Sequence, residues 1–268
     1  MFSLKKPLQR LYWNFYKSLP IRYLRAAQFR SFRPLGDGKL RGTAIVRHYW
    51  EEYLQKHQKD ICGRGLEIGS NATLRRFGVT KADAIDVSSH SPEINVIADL
   101  SRADSVPENT YDCFINQFTM HVIYDVEAAL YHSLRILKPN GVLLINFSSV
   151  DYYFPEGLDM GTGKPLFLYH WFTPIAVENL LHRVGLTEDN YQLEIYGNLF
   201  TRIAYEMNMP AEELSDRELK YQDTHYPVLI CVRAIKGDRW QVKPPEYRDP
   251  WYPKGKPARW NSIKGERV

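Results

Sequence analysis

The sequence is short of cysteine, of glycine where a phosphate-binding loop would need it, and of acid at its N-terminal end. Its three cysteines, Cys62, Cys113 and Cys231, lie far apart without C-x-x-C spacing, so neither a disulfide framework nor a zinc or other metal site is expected. Cys113 and Cys231 stand in apolar runs, where a thiol behaves as a small hydrophobe. No stretch approaches the roughly 18 uninterrupted apolar residues of a membrane span. The N-terminus also lacks a signal peptide's apolar stretch ending in small residues, so a cytoplasmic location is expected.

The net charge of +4 conceals three blocks. Residues 1–47 hold eleven Lys or Arg against Asp37 alone, residues 48–235 hold fifteen against twenty-six acids, and residues 236–268 hold nine against four. An acidic middle repels phosphates, which argues against a nucleic-acid partner. The arm over residues 1–39, with KKPLQRLYWNFYKSLPIRYLRAAQFRSFR, mixes cations with Leu, Tyr, Trp and Phe. Such a segment can lie in a membrane interface, which would place the protein peripherally at the inner membrane face. The other readings are that it packs on the acidic body or against the twin subunit of a homodimer.

At 268 residues and 44% hydrophobic, the chain can bury one sizeable core. Within residues 40–60, Ile45, Val46, Tyr49, Trp50, Tyr53 and Leu54 recur at helical spacing and describe the apolar stripe of a covering helix. GLEIG, ADAIDV, EINVIADL, YDCFIN and GVLLINF are short apolar runs that read as buried strands, followed later by YQLEIYG and PVLICVRAI. Asp125 can cap one intervening helix, and Thr173 followed by Pro174 can open another that ends at Gly185. Strands alternating with helices predict an α/β domain over residues 61–235, doubly wound around a mostly parallel seven-stranded sheet. Residues 197–226 read as an insertion of two short helices, and residues 236–268 as an irregular basic tail rich in Pro and Trp. In such sheets ligands bind beyond the carboxyl ends of the strands, so the site belongs there.

The loop after the first strand, Gly69-Ser70-Asn71-Ala72-Thr73-Leu74, keeps only the first glycine of G-x-G-x-x-G and has no Walker lysine. A ligand without phosphates suits it, and S-adenosylmethionine, an adenosine with an amino-acid end, is one. Asn71 can take a left-handed backbone in place of a glycine. Asp86 in AIDVS stands after the second strand, where an acid can accept both ribose hydroxyls, and Asp99 in IADLS can face the adenine amino group.

LEIGS, AIDVS, IADLS, YDCFINQFTMHV and LRILKPNGVLLINF together resemble the ordered motifs of class I S-adenosylmethionine-dependent methyltransferases of the type-11 group, over residues 61–147. The resemblance implies that Glu67 sits under the methionine amino group or the loop amides. It implies a cofactor site of Glu67, Gly69, Ser70, Asn71, Asp86, Val87, Asp99, Leu100, Asn116 and Gln117. RGTAIVRHYWEEYL and GLDMGTGKPLFLYHWFTP resemble a bacterial subgroup associated with glycosyltransferases of surface polysaccharides, which implies a sugar or glycan acceptor. A nonsugar small-molecule acceptor, and a non-catalytic binding protein on the same fold, are the alternatives. Nucleic-acid acceptors are disfavoured further because no Asn-Pro-Pro-aromatic run is present.

Methyl transfer needs positioning above all, and a base helps where the acceptor is a hydroxyl. His121 after the fourth strand, His170 in FLYHWFTP and Asp159 are the candidate bases, in that order. The seven aromatics between Tyr152 and Phe172 can stack on sugar rings or wall the cofactor.

Overall fold

The computed structural model describes residues 11, 14, 15, 34, 35, 42–151, 158, 159 and 165–250, with backbone alone at 158, 159, 165 and 166. Most of the basic arm, the tail beyond residue 250, the side chain of Asp159, and Tyr152, Tyr153 and Phe154 lie outside the described residues. The chain divides into two compact units, one of residues 58–147, 152–192 and 232–268, the other of residues 1–57, 148–151 and 193–231.

The strands are β1 Arg64–Ile68, β2 Lys81–Asp86, β3 Val96–Ile97, β4 Tyr111–Asn116, β5 Leu137–Ser148, β8 Tyr191–Tyr196 and β9 Leu229–Ile235, with β6 Leu158–Asp159 and β7 Pro165–Leu166 forming a separate antiparallel pair. The main sheet has the order β3-β2-β1-β4-β5-β9-β8. β1 through β5 are parallel to one another. β9 runs the other way: Lys236 N–H donates to Gly141 O and Ser149 N–H to Val228 O, so its end meets the start of β5. It is antiparallel to β8 as well, with Val228 bonded to Tyr196 and Ile235 to Asn190. The expected doubly wound, mostly parallel seven-stranded sheet is therefore present, and strand order reverses at β1, between β2 and β4.

In the first unit, β1, β2 and β4 are short and apolar because they are covered on both faces. Helix α2, Ala72–Phe77, lies against β1 because Gly65 carries no side chain: a Cβ there would stand 2.6 Å from Leu74 Cδ2. Helix α3, Val126–Arg135, is capped by Asp125, whose side chain accepts from Ala128 N–H. Helix α4, Pro174–Arg183, is capped by Thr173 with Pro174 in its first turn, where the missing N–H costs nothing. Residues 240–248 bind back on this unit: Trp240 Nε1 donates to Val184 O at 2.8 Å, and Arg248 pairs with Asp125 and Glu127.

In the second unit, helix α1, Ile45–Lys56, buries Ile45, Val46, Tyr49, Trp50, Tyr53 and Leu54, the same six residues the spacing selects. Each such burial is worth about 1.5–3 kcal/mol. Tyr49 donates from Oη to Leu219 O at 3.0 Å, so its polar end is satisfied inside. Residues 197–226 hold helix α5, Leu199–Glu206, and helix α6, Asp216–Lys220. Both start in capping boxes, Asn198 with Thr201 and Ser215 with Glu218, which explains how helices of eight and five residues hold their ends.

Three sequence expectations need correction. The third strand pairs only at Val96–Ile97 of EINVIADL, being the sheet edge with one neighbour. The covering helix starts at Ile45 and ends at Lys56, inside residues 40–60. The left-handed residue of the first loop is Gly69, at φ 74°, while Asn71 has φ −119° and stands at the N-cap position of α2 without a side-chain bond to the helix.

Candidate active site

Glu67, the penultimate residue of β1, is 1% exposed although it is a carboxylate. Its Oε2 accepts the Thr73 and Leu74 amides at 3.0 and 3.2 Å, and its Oε1 accepts Gln117 Nε2 at 2.9 Å. Burial pushes its carboxyl above the ordinary value, outweighing the hydrogen bonds that pull the other way. The residue thus ties the start of α2 to the turn after β4.

Two residues on, the left-handed turn at Gly69 opens a cradle. Apart from its chain neighbours, a Cβ on Gly69 would meet, among the described residues, only Asp86 Oδ2, at 3.6 Å. Asp86 is half-buried at the end of β2, and its Oδ1 accepts the Val87 amide at 2.6 Å. Oδ2 faces the Gly69 side, and Val87 beside it is 50% exposed. Backbone open at Gly69, a carboxylate oxygen at its edge and an exposed apolar side chain next to it fit a nucleoside without phosphates. Ser70 Oγ accepts the Ala72 amide and donates to Glu93 at 3.0 Å. Asn71, 3% exposed, donates from Nδ2 to Ala82 O and leaves Oδ1 without a partner among the described residues. Asp99 is exposed, but its Oδ1 accepts from the backbone and hydroxyl of Ser101 at 2.9 and 2.7 Å, so it caps the turn that begins at the buried Leu100.

At the end of β4, Asn116 is fully buried and donates to Ser133 Oγ of α3 at 3.5 Å, with Oδ1 unpaired among the described residues. Gln117 turns to Glu67 instead. Phe118 follows with φ 49°, a left-handed backbone that a bulky residue adopts only where surroundings enforce it. Its amide donates to Asn146 Oδ1 at 2.8 Å. Neither Phe118 nor Asn146 stands out in the sequence.

His121 and His170 come from segments far apart in the chain and meet through main-chain bonds: Tyr169 N–H donates to His121 O at 2.8 Å and His170 N–H to the same oxygen at 3.3 Å. His170 Nε2 lies 3.1 Å from Tyr124 O. A carbonyl only accepts, so Nε2 carries the hydrogen and Nδ1 of the neutral ring keeps its lone pair. Tyr124, Tyr169, His170, Phe172 and Phe147 form a chain of ring contacts, with Tyr124 to Tyr169 at 5.3 Å and Phe147 to Phe172 at 5.1 Å. Asp159 falls in β6, and its side chain lies outside the described residues. Among the described residues no group of His, Cys, Asp and Glu could hold a metal ion, and no helix is long and apolar enough to cross a membrane. Cys62 is exposed, while Cys113 and Cys231 are fully buried, with burial pushing the Cys113 thiol up to about 12.

The structure therefore gathers Glu67, Gly69, Ser70, Asn71, Asp86, Val87, Asn116 and Gln117 at the carboxyl ends of the three adjacent strands β2, β1 and β4, with Asp99 and Leu100 after the edge strand β3. No curated protein matches the chain. Solved structures similar to it include an S-adenosylmethionine-dependent methyltransferase from Mesorhizobium loti, 17% identical, covering 69% of this chain and 96% of that one with a TM-score of 0.46. Phosphoethanolamine N-methyltransferase 2 from Haemonchus contortus, in complex with S-adenosyl-L-methionine, is 16% identical over 70% of this chain and 53% of its own, with a TM-score of 0.46. A possible histamine N-methyltransferase from Thermotoga maritima is 19% identical over 72% and 91%, with a TM-score of 0.44. The family model of the methyltransferase domain matches residues 62–145, the span that runs from β1 into β5 and includes every expected cofactor residue. Residues 62–145 are therefore similar to a methyltransferase domain, and the residues gathered at these strand ends are those expected to take S-adenosylmethionine as methyl donor.

Proposed function

We propose that the protein transfers the methyl group to a hydroxyl oxygen of a sugar or glycan precursor. The observation that carries this reading is the corner formed by His121 and His170 beside the aromatic rings of Tyr124, Tyr169 and Phe172. Tyr124 and Trp171 are exposed at 41% and 56%, and aromatic faces open to solvent suit the apolar faces of sugar rings. Bound S-adenosylmethionine supplies an electrophilic methyl group. A hydroxyl acceptor has a proton to lose, and His170 offers Nδ1 for it, with the ring oriented by the Tyr124 carbonyl.

His170→Ala should lower turnover by about 10²–10⁴-fold, the usual worth of a positioned base, and leave S-adenosylhomocysteine affinity unchanged. Turnover that survives the substitution would move the base to His121 or Asp159. Transfer of labelled methyl from S-adenosylmethionine to a panel of nucleotide sugars, oligosaccharides and small amines tests the acceptor class. Label on the amines alone would favour the nonsugar reading, and binding without transfer to any of them would favour a non-catalytic role.

The cofactor side is tested separately. Asp86 accepts both ribose hydroxyls in this reading, so Asp86→Ala should cost about 1.5–3 kcal/mol of binding through lost charge-assisted hydrogen bonds. Calorimetric titration reads the change, and a folded variant of full affinity would remove Asp86 from the site.

A further inference from the structure

Asn146 stands near the end of β5, 1% exposed, with its amide half used. Its Oδ1 accepts the Phe118 amide, while Nδ2 is buried without a partner among the described residues. A buried, unsatisfied donor is a cost that natural cores seldom carry, and it sits on a side chain that grips a strained backbone. Register shows where this grip acts. Glu67 pairs with Ile115 and Ile115 with Leu144, so these three share a face of the sheet. Two residues further along, Gln117 and Asn146 fall on that same face. The turn after β4 is thus held twice from the Glu67 face, through the side chain of Gln117 and the main chain of Phe118. Thr119 Oγ1 closes it by donating to Gln117 O at 2.8 Å.

Strand order says which part of a ligand this turn meets. β1 lies between β2 and β4, so a cofactor laid across the end of β1 with its ribose at Asp86 on β2 brings its other end to the turn after β4. We infer that Asn146 is a positioning residue of the methyl-transfer site: by holding Phe118 left-handed it presets the turn at residues 117–119 for the amino-acid end of S-adenosylmethionine. The inference rests on the reading of these strand ends as the cofactor site.

Two ligands separate the ends of the cofactor. S-adenosylhomocysteine carries the amino-acid end, whereas 5′-methylthioadenosine has the same nucleoside and thioether without it. Asn146→Ala should weaken S-adenosylhomocysteine about tenfold, as expected when a left-handed bulky residue is no longer held, and change 5′-methylthioadenosine by less than about twofold. Asn146→Asp keeps an acceptor oxygen for the Phe118 amide and should stay within about threefold of wild type for both. In a Phe118→Gly background, where glycine reaches positive φ unaided, Asn146→Ala should cost less than about threefold. Full S-adenosylhomocysteine affinity in a folded Asn146→Ala variant overturns the inference, as does an equal loss for both ligands or an undiminished loss in the glycine background. A wild-type chain that binds neither ligand sinks the cofactor reading and this inference with it, which keeps the two failures apart.

Discussion

Glu67→Ala will cost about 3–5 kcal/mol of stability, the usual result of removing one partner from a buried charged hydrogen-bond set. Three donors lose their acceptor at once: the Thr73 and Leu74 amides and Gln117 Nε2. The amides stand at the start of α2, a helix of six residues with no side-chain bond from its own cap, so they have no local substitute. Cofactor affinity should fall with stability, because the same carboxylate ties the Gly69 loop to the turn after β4. Glu67→Gln separates charge from hydrogen bonding. Its amide oxygen can still accept the α2 amides, and Gln117 can reverse its own amide to accept instead of donate. That variant should lose less than about 1.5 kcal/mol, the size of one ordinary hydrogen bond. Urea melts at constant slope read both numbers. An alanine variant as stable as wild type would mean that α2 is held by packing on Gly65 and Leu74 alone.

What the sequence makes legible is what short-range chemistry decides. The stripe of α1 is read to the residue because six apolar side chains at helical spacing can be buried together in only one way. The caps at Asp125 and Thr173 are equally local, each a side chain three residues from the amide it accepts. β3 is misjudged in length because an apolar run does not say how many neighbours it will have, and at the sheet edge only two residues pair. At the first loop the sequence shows that two residues can turn left-handed but not which one does. Gly69 takes the turn, and Asn71 instead ties the loop to β2 by donating to Ala82 O. Phe118 and Asn146 are the part of the site that pattern cannot reach. Nothing in a phenylalanine announces positive φ, and the bond that enforces it joins residues 28 positions apart. The antiparallel β9 is hidden for a similar reason, since PVLICVRAI is as apolar as a parallel strand and its direction is set by the connection through α5 and α6.

Acid will destabilise the protein well before its carboxylates are protonated, and His132 is the cause. It is fully buried on α3, and burial first, then the neighbouring Arg135 guanidinium, push its imidazole down from 6.5 to about 4. Hydrogen bonds hold the neutral tautomer. Arg135 Nε donates to Nδ1 at 3.2 Å, which leaves Nε2 with the hydrogen facing Tyr247 Oη at 3.2 Å, and Tyr247 passes its own hydrogen to Asp104 at 2.5 Å. Asp104 itself is 4.0 Å from Nε2 and favours the charged ring, but it is 64% exposed and does not outweigh burial. The folded pKa lies below the unfolded one, so the unfolded chain binds the proton first. Stability is therefore intact above about 6.5 and falls as pH drops from there toward 4, by up to the order of 3 kcal/mol at the lower end. Asp83 and Asp112 are held below the ordinary carboxylate value: burial opposes this, but Asn95 with Arg64, and Lys138 with the Arg64 amide, outweigh it. Their contribution is lost only as pH falls through about 4 and lower, and Glu67, held above the ordinary value by burial, acts in the opposite direction, so a loss of stability between pH 7 and 5 belongs to histidine. His132→Gln keeps a neutral donor near Tyr247 and cannot charge. It should be less stable than wild type at pH 7 by about 1–2 kcal/mol, for the altered packing and the Arg135 donor left behind, yet show a flatter decline between pH 7 and 5. Urea melts at half-unit pH steps measure both slopes. Parallel curves for the two proteins would show that the acid sensitivity lies elsewhere and that the imidazole of His132 is charged without cost.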